Sequence, residues 1–164
     1  MPDRIWSPAF IAVGSNLDGP RAQVEAALVA LGSIEDTCCV ATSPLYQGPP
    51  MGPQDQPDYV NAVAALLTQL EPAALFSALL DVERALGRGG TGRKWGPRRI
   101  DLDLLLHGDN VREGRALTLP HPGLAERAFV LQPLADLAPT LRLPDGRRIA
   151  DLLYSVDCSE LRRL

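Results

Sequence analysis

The strongest constraint on the fold is a pair of predicted strands that follow one another without a helix between them. Residues 40–46 and 59–67 are rich in apolar and β-branched side chains, and Pro44 suits the first of them to a sheet edge or bulge. The connection contains the stiff loop 48–53, which leaves no room for the crossover helix of a parallel pair. The two strands are therefore expected to pair antiparallel.

The rest of the chain interleaves strands and helices. The patterns predict a strand over 10–13, a helix from Pro20 to a stop at Gly32, a helix over 72–86, a strand over 100–106, and helices over 124–131 and 148–154. In the strand over 100–106, Ile100, Leu102, Leu104 and Leu106 are expected on one face and Asp101, Asp103 and Leu105 on the other. This order predicts an α+β sandwich, with helices packed on a mostly antiparallel sheet.

Composition excludes several functional classes. The chain has 164 residues, of which 46% are hydrophobic, so residues 1–164 fit one globular domain. The net charge of −4 gives no overall basic field, so neither nucleic acid nor a membrane is expected as a partner. We expect a monomer with small-molecule partners. No apolar run approaches the roughly 18 residues of a membrane span, and a cytoplasmic location is expected. We expect no catalytic role for the cysteines.

Asp101 and Asp103 are the strongest indication of chemistry. Residues two apart on a strand point to the same face, with their Cα atoms about 6.5 Å apart. Two carboxylates in this arrangement repel each other unless a cation lies between them, and hard oxygen donors suit Mg²⁺ when substrate phosphates complete its shell. The alternative is that both acids simply face solvent on a half-buried strand.

A basic, glycine-rich segment precedes the two acids. Its cations are Arg88, Arg93, Lys94, Arg98 and Arg99. They could form surface ion pairs of about 0–1 kcal/mol each with neighbouring acids. Guanidinium groups beside a metal-binding acid pair are also what a polyphosphate site requires, and Gly89, Gly90 and Gly92 favour a loop that closes over phosphates. We therefore predict a mobile basic loop that binds phosphate.

Other residues admit both a structural and a functional reading. His121 lies between two prolines and could be a packing residue or a ligand contact. Tyr59, Asn61 and Phe129 could belong to the core, or could grip a planar heterocycle by stacking and one amide. The sequence has neither a Gly-x-x-x-x-Gly-Lys-Ser/Thr loop nor a Gly-x-Gly-x-x-Gly turn after a strand, which excludes the common nucleotide-binding folds.

Four sequence blocks occur together in the order found in one enzyme family. They cover residues 12–17, 49–61, 93–104 and 119–122, and the run Trp95-Gly96-Pro97-Arg98-Arg99-Ile100-Asp101-Leu102-Asp103 is the most specific. Through these blocks the chain resembles the 6-hydroxymethyl-7,8-dihydropterin pyrophosphokinase family of the folate pathway. The resemblance implies transfer of pyrophosphate from ATP to the pterin hydroxymethyl group, with release of AMP. It also implies a three-layer αβα sandwich with a ferredoxin-like core.

The resemblance further implies a role for individual residues. The catalytic residues would be Arg88, Arg98, Asp101 and Asp103, and the two aspartates would hold two Mg²⁺ ions. ATP would be bound by Glu83, Trp95, Leu104, Thr118, His121 and Arg127. The pterin would be bound by Gly48, Pro49, Pro50, Met51, Tyr59, Asn61 and Phe129.

Three positions depart from the pattern of some relatives, namely Gly90, Ala116 and Pro122, where a loop arginine, a second arginine and an aromatic residue occur in those proteins. Arg93 or Lys94 could replace the loop charge. Two other functions stay open at this point. The protein could transfer a phosphoryl or nucleotidyl group to a different acceptor, or it could be a binding module that has lost activity.

Overall fold

The computed structural model describes residues 3–87 and 99–164, and six strands form one sheet within these ranges. The strands are β1 (Ser7–Ser15), β2 (Thr37–Thr42), β3 (Tyr46–Gly48), β4 (Tyr59–Thr68), β5 (Asp101–His107) and β6 (Arg162–Arg163). The α-helices are α1 (Pro20–Leu31), α2 (Pro72–Ala85), α3 (Ala128–Leu137) and α4 (Ile149–Tyr154), and a short 3₁₀ helix covers Leu124–Glu126.

The strands are arranged in the order β5-β1-β4-β3-β6, and β2 pairs with β4 beside β3. Every pairing between these strands is antiparallel. Helix α1 connects β1 to β2, and α2 connects β4 to β5, so each helix crosses one intervening strand. This is the ferredoxin-like arrangement, and it confirms the predicted α+β class with its antiparallel sheet.

Each face of the sheet is covered by its own hydrophobic core, which gives three layers. One core joins α1 and α2 to the sheet residues Ala9, Ile11, Val13, Val60, Ala62, Ala64, Leu66, Leu102 and Leu104. The second core joins α3 and α4 to Phe10, Val63, Leu105 and Leu106 on the opposite face. Because side chains alternate along a strand, β1 and β4 supply both cores, which explains their nearly continuous apolar sequences.

Several predicted elements are confirmed with small shifts at their ends. The strand expected over 10–13 is longer, and the helices expected from Pro20 and over 72–86 and 148–154 are present as α1, α2 and α4. The strand expected over 59–67 is β4. No helix of the described residues is long and apolar enough to cross a membrane.

The strand expected over 40–46 was wrong, because two shorter strands replace it. Strand β2 ends at Thr42 and β3 begins at Tyr46, so Pro44 lies between them, as expected of a residue that cannot donate to a strand ladder. The pairing of β2 with β4 also shifts by one residue between Cys39 and Ala41. The apolar pattern of this segment therefore spans a bulge and a break.

The prediction that Leu106 shares a face with Leu104 was also wrong. Leu104 lies opposite Ile11, whereas Leu106 lies opposite Phe10, so β5 contains one extra residue at Leu105. Because of this bulge, the side chain of Leu106 packs in the second core beside Leu105, whereas Leu104 packs in the first core.

The helix expected over 124–131 is interrupted. The 3₁₀ helix ends at Glu126, Arg127 is extended with φ −107° and ψ 108°, and α3 then continues to Leu137. The C-terminal strand β6, which pairs with β3, was not anticipated, because two exposed arginines carry no strand signal.

Candidate active site

One row of residues crosses four strands at the end of the sheet where β5 begins. Asp101 lies opposite Gly14, Gly14 lies opposite Asn61, and Asn61 lies opposite Tyr46. Their strand neighbours Val13, Leu102 and Ala62 face the first core, so alternation directs this row to the face that carries α3. The row therefore brings the carboxylate of Asp101, a glycine without a side chain, and the amide of Asn61 to one surface.

Asp101 and Asp103 share that face of the sheet, as predicted. Both are partly exposed, and they alternate with the buried Leu102 and Leu104. Asp103 lies opposite Ala12, and Asp101 lies opposite Gly14. Small partners on β1 leave both carboxylates accessible, and this is what a group that binds a ligand requires.

His121 lies beside Asp103 and is held there by hydrogen bonds of its backbone N–H and of one ring nitrogen. Its backbone N–H donates to the carbonyl of Leu105 at 2.9 Å, which ties it to β5. Its Nδ1 accepts the backbone N–H of Gly123 at 3.0 Å, and its Nε2 lies 3.8 Å from Oδ1 of Asp103. Because Nδ1 is an acceptor, the proton of the neutral ring lies on Nε2, which faces the acids.

The surroundings of His121 keep its ring neutral. Burial lowers the pKa of His121 below its usual 6.5, and the positive charge of Arg127 lowers it further. Asp101 acts in the opposite direction. At neutral pH the ring is therefore a hydrogen-bond donor at Nε2 that adds no charge of its own.

Arg127 enters the site because the chain between Glu126 and Ala128 is extended. Its guanidinium lies against Gly123, where a side chain would occupy the same space. Its Cζ also lies 5.8 Å from the centre of the Phe129 ring, within the range of a cation–π contact. The break in the predicted helix thus places Arg127 close enough to His121 to act on its charge, with Phe129 beside it.

The residues expected to bind a pterin, apart from Phe129 on α3, lie at the paired ends of β3 and β4 and in the loop that follows β3. Tyr59 and Asn61 begin β4, and Gly48 lies opposite Tyr59. The loop after Gly48 is braced by Gln54, whose Nε2 donates to the carbonyls of Pro50 at 3.0 Å and Gly52 at 3.1 Å. Pro50 is buried, whereas Pro49 and Met51 are exposed. The loop therefore leaves the sheet from the strand that pairs with the start of β4.

Two expected ATP contacts, Glu83 and Leu104, are not on the face of Asp101 and Asp103, and a third, Thr118, lies outside the strands of the sheet. Glu83 is buried on α2, and Leu104 lies in the core beneath α1 and α2. Thr118 is in the segment where Arg112 pairs with Leu119, and its hydroxyl donates to the carbonyl of Gly114 at 3.2 Å. Since β5 is the last strand of the described sheet on its side, a nucleotide that contacted both faces would have to cross its edge.

Residues Arg88, Arg93, Lys94, Trp95 and Arg98, with the predicted basic loop, lie outside the described residues. Within 3–87 and 99–164, no group of three or more His, Cys, Asp or Glu side chains is arranged to hold a metal ion. Asp101 and Asp103 could therefore hold a cation only if other oxygen atoms, such as those of a substrate, complete its shell.

The sequence motif 14–16 contains site residues to which no role was assigned. A Cβ at Gly14 would lie 2.7 Å from Oδ1 of Asn61. The buried Asn16 donates through Nδ2 to Oε1 of Gln56 at 3.0 Å and to the carbonyl of Pro57 at 2.9 Å. The motif thus connects the row of site residues to the loop before β4. Its only sequence signal was its presence in one of the four blocks.

Comparison with known proteins gives this geometry a context. A family model described as 7,8-dihydro-6-hydroxymethylpterin-pyrophosphokinase (HPPK) matches residues 10–139. The chain is 50% identical over 155 residues to the 2-amino-4-hydroxy-6-hydroxymethyldihydropteridine pyrophosphokinase of Pseudomonas aeruginosa, covering 94% of this chain and 95% of that protein. It is 45% identical over 145 residues to the protein of the same name from Haemophilus influenzae, covering 88% and 90%.

A solved structure shows the same fold at low sequence identity. Plasmodium falciparum HPPK-DHPS A437G with STZ-DHP aligns with a TM-score of 0.73 and 12% identity. The alignment covers 94% of this chain but 46% of that chain, so the present chain spans less than half of that structure's length.

Proposed function

Because the chain belongs to the 7,8-dihydro-6-hydroxymethylpterin-pyrophosphokinase family, we propose that the face of β5 carrying Asp101 and Asp103 is its reaction centre. The enzyme transfers pyrophosphate from ATP to the hydroxymethyl group of 6-hydroxymethyl-7,8-dihydropterin in folate biosynthesis. The observation that supports this location is the convergence of two carboxylates, the His121 ring and the Arg127 guanidinium on one surface.

The donor set fits Mg²⁺. Asp101 and Asp103 offer hard oxygen atoms on one face, and Mg²⁺ is commonly bound by one or two carboxylates together with substrate phosphates. We assign both residues as ligands of two Mg²⁺ ions. When bound, magnesium would screen the triphosphate charge and lower the pKa of the pterin hydroxyl.

The side chains around the acids would bind and orient the triphosphate. His121 would donate from Nε2 to a phosphate oxygen, and Arg127 would supply a forked donor. Arg88 and Arg98 are assigned to the same anionic group and to the charge that develops toward AMP. The hydroxyl oxygen attacks the β-phosphorus as the bond to the α,β-bridging oxygen breaks, and Asp103 can accept the hydroxyl proton.

The two substrates would occupy neighbouring parts of the row. Tyr59 and Phe129 are assigned to the pterin ring, and Asn61 with the backbone of 48–51 to its polar edge. Glu83, Leu104 and Thr118 would meet the nucleotide where it crosses the edge of β5, and Trp95 is assigned to the nucleotide side. We propose further that residues 1–164 form one pyrophosphokinase domain and act as a monomer in the cytoplasm.

The test is the nucleotide product of a reaction with ATP, Mg²⁺ and the dihydropterin. AMP that forms only with the pterin present supports the proposal. Formation of ADP would indicate another transfer reaction. Binding of both substrates without any product would indicate a binding module that has lost activity. Asp101→Asn and Asp103→Asn are expected to lower kcat by roughly 10³-fold, since loss of metal stabilisation costs several kcal/mol. Asp109→Asn, in the exposed turn after β5, is the matched control. Full activity in either site variant would contradict the metal assignment.

A further inference from the structure

Ser15 is completely buried at the end of β1, on the face of the sheet opposite the two acids. Its Oγ lies 2.5 Å from the carbonyl oxygen of Arg99 and 3.4 Å from that of Leu17. A hydroxyl has one proton to donate, and the shorter contact is the stronger bond. Ser15 therefore donates across to the residue that leads into β5.

The position of this bond matters because the β1–β5 ladder stops there. The last paired residues are Gly14 and Asp101, so no ladder pairing continues to Arg99. The Ser15 hydroxyl takes the place of the next ladder bond and fixes the carbonyl two residues before Asp101.

Arg99 is also held through its side chain. Its Nε lies 3.4 Å from Oδ2 of Asp18, and a Cβ added to Gly87 would lie only 2.8 Å from its Nη1. Gly87 has φ +77°, which a residue with a side chain rarely adopts. The hydrogen bond from the Ser15 hydroxyl to the Arg99 carbonyl therefore fixes the chain where β5 starts, and the exposed ion pair with Asp18 adds little to it.

We propose that Ser15 is a positioning residue for the metal-binding acids. Its hydrogen bond sets the direction in which the chain enters β5 and so the orientation of the Asp101 carboxylate. The inference rests on the proposed function, because it requires Asp101 to be a metal ligand. Residues that orient metal ligands typically contribute about 10–100-fold to metal affinity.

The experiment measures Mn²⁺ binding in the presence of a non-hydrolysable ATP analogue, by the paramagnetic resonance signal of free Mn²⁺. Ser15→Ala is expected to weaken Mn²⁺ binding about 10-fold. It is also expected to speed amide hydrogen exchange at residues 100–103. The matched control is Ser43→Ala, since Ser43 is also buried, donates to the carbonyl of Pro44 at 2.8 Å and accepts the N–H of Val63 at 2.9 Å. This control is expected to lower stability without changing Mn²⁺ binding.

Two further variants keep each outcome decisive. Ser15→Cys fills a similar space with a weak donor and tests the bond even where the alanine variant unfolds; a smaller weakening of Mn²⁺ binding is expected. Asp101→Asn is the reference for loss of a ligand. Weakening by Asp101→Asn but by neither Ser15 variant would overturn the inference alone. Unchanged Mn²⁺ binding in Asp101→Asn would overturn the metal assignment and the inference together. If Ser43→Ala weakened Mn²⁺ binding as much as Ser15→Ala, the effect of Ser15 would be a general loss of stability, and the inference would be overturned.

Discussion

Gly14 and Asn61 face each other in neighbouring strands so closely that a Cβ on Gly14 would lie 2.7 Å from Oδ1 of Asn61. The same Cβ would lie 3.7 Å from the Tyr59 ring, an ordinary contact. The absence of a side chain at position 14 therefore sets where the Asn61 amide lies, between the acids of β5 and the loop after Gly48.

We predict that Gly14→Ala impairs pterin binding while the protein stays folded. The added methyl group must displace the Asn61 amide, and an overpacked site costs about 1–3 kcal/mol, so the KM for the dihydropterin should rise roughly 10-fold or more. The KM for ATP should change much less. Steady-state kinetics with each substrate varied in turn provide the measurement.

Gly32→Ala is the matched control for this prediction. Gly32 ends α1 with φ −69°, and the nearest atom to an added Cβ is 3.4 Å away. Its kinetics should match those of the parent enzyme. An unchanged pterin KM in Gly14→Ala would show that the position of the Asn61 amide does not matter for binding.

The ionisation of His121 should reveal which charges surround it. Its pKa is lowered by burial and by Arg127, and raised by Asp101. In the metal-free protein we expect a pKa below 6.5, an increase in Arg127→Gln, and a further decrease in Asp101→Asn. Nitrogen-15 NMR of the His121 ring as a function of pH, in the parent and in both variants, checks this.

The sign of the pH effect on stability follows from the same shift. Because the folded protein binds the His121 proton less readily than the unfolded chain, the contribution of this group is fully present above pH 6.5. It decreases as the pH falls below that value. A His121 pKa above 6.5 in the metal-free enzyme would contradict the buried placement of the ring.

Much of this site follows from strand periodicity in the sequence. The alternation of β5 predicts that Asp101 and Asp103 share a face, because residues two apart on a regular strand do. The same rule fails at Leu106, since the bulge at Leu105 depends on how β5 meets Phe10 and Ile11. Local patterns carry no information on such a register.

The remaining errors have the same origin in tertiary contacts. The apolar spacing over 124–131 suits a continuous helix, yet the chain is extended at Arg127. The order of apolar residues therefore does not predict the break that directs this arginine into the site. The function of Gly14 depends on Asn61, which is distant in sequence and becomes its neighbour only when β1 pairs with β4. Resemblance to a family can locate such residues, but their physical role requires the fold.

Helix α3 is tied to the sheet by a partly buried hydrogen bond that should contribute to stability rather than to catalysis. The Tyr46 hydroxyl donates to Oδ2 of Asp136, and Oδ1 of Asp136 accepts from Gln132 at 3.1 Å. Burial and the neighbouring carboxylate raise the pKa of Tyr46 to about 12, so the phenol remains a donor throughout the neutral range. Tyr46→Phe removes this donor and leaves the ring in place.

We expect Tyr46→Phe to lower the free energy of unfolding by about 1–2 kcal/mol, since a hydrogen bond to a carboxylate is stronger than a neutral one. The raised pKa means that this stabilisation is fully present below pH 10 and is lost as the pH rises toward 12. Urea unfolding at neutral pH and above pH 10 measures both effects. Tyr154→Phe, at a position 93% exposed, should stay within about 0.5 kcal/mol of the parent. Equal stability of the two variants, or a large loss of kcat in Tyr46→Phe with its fold intact, would assign Tyr46 to a different role.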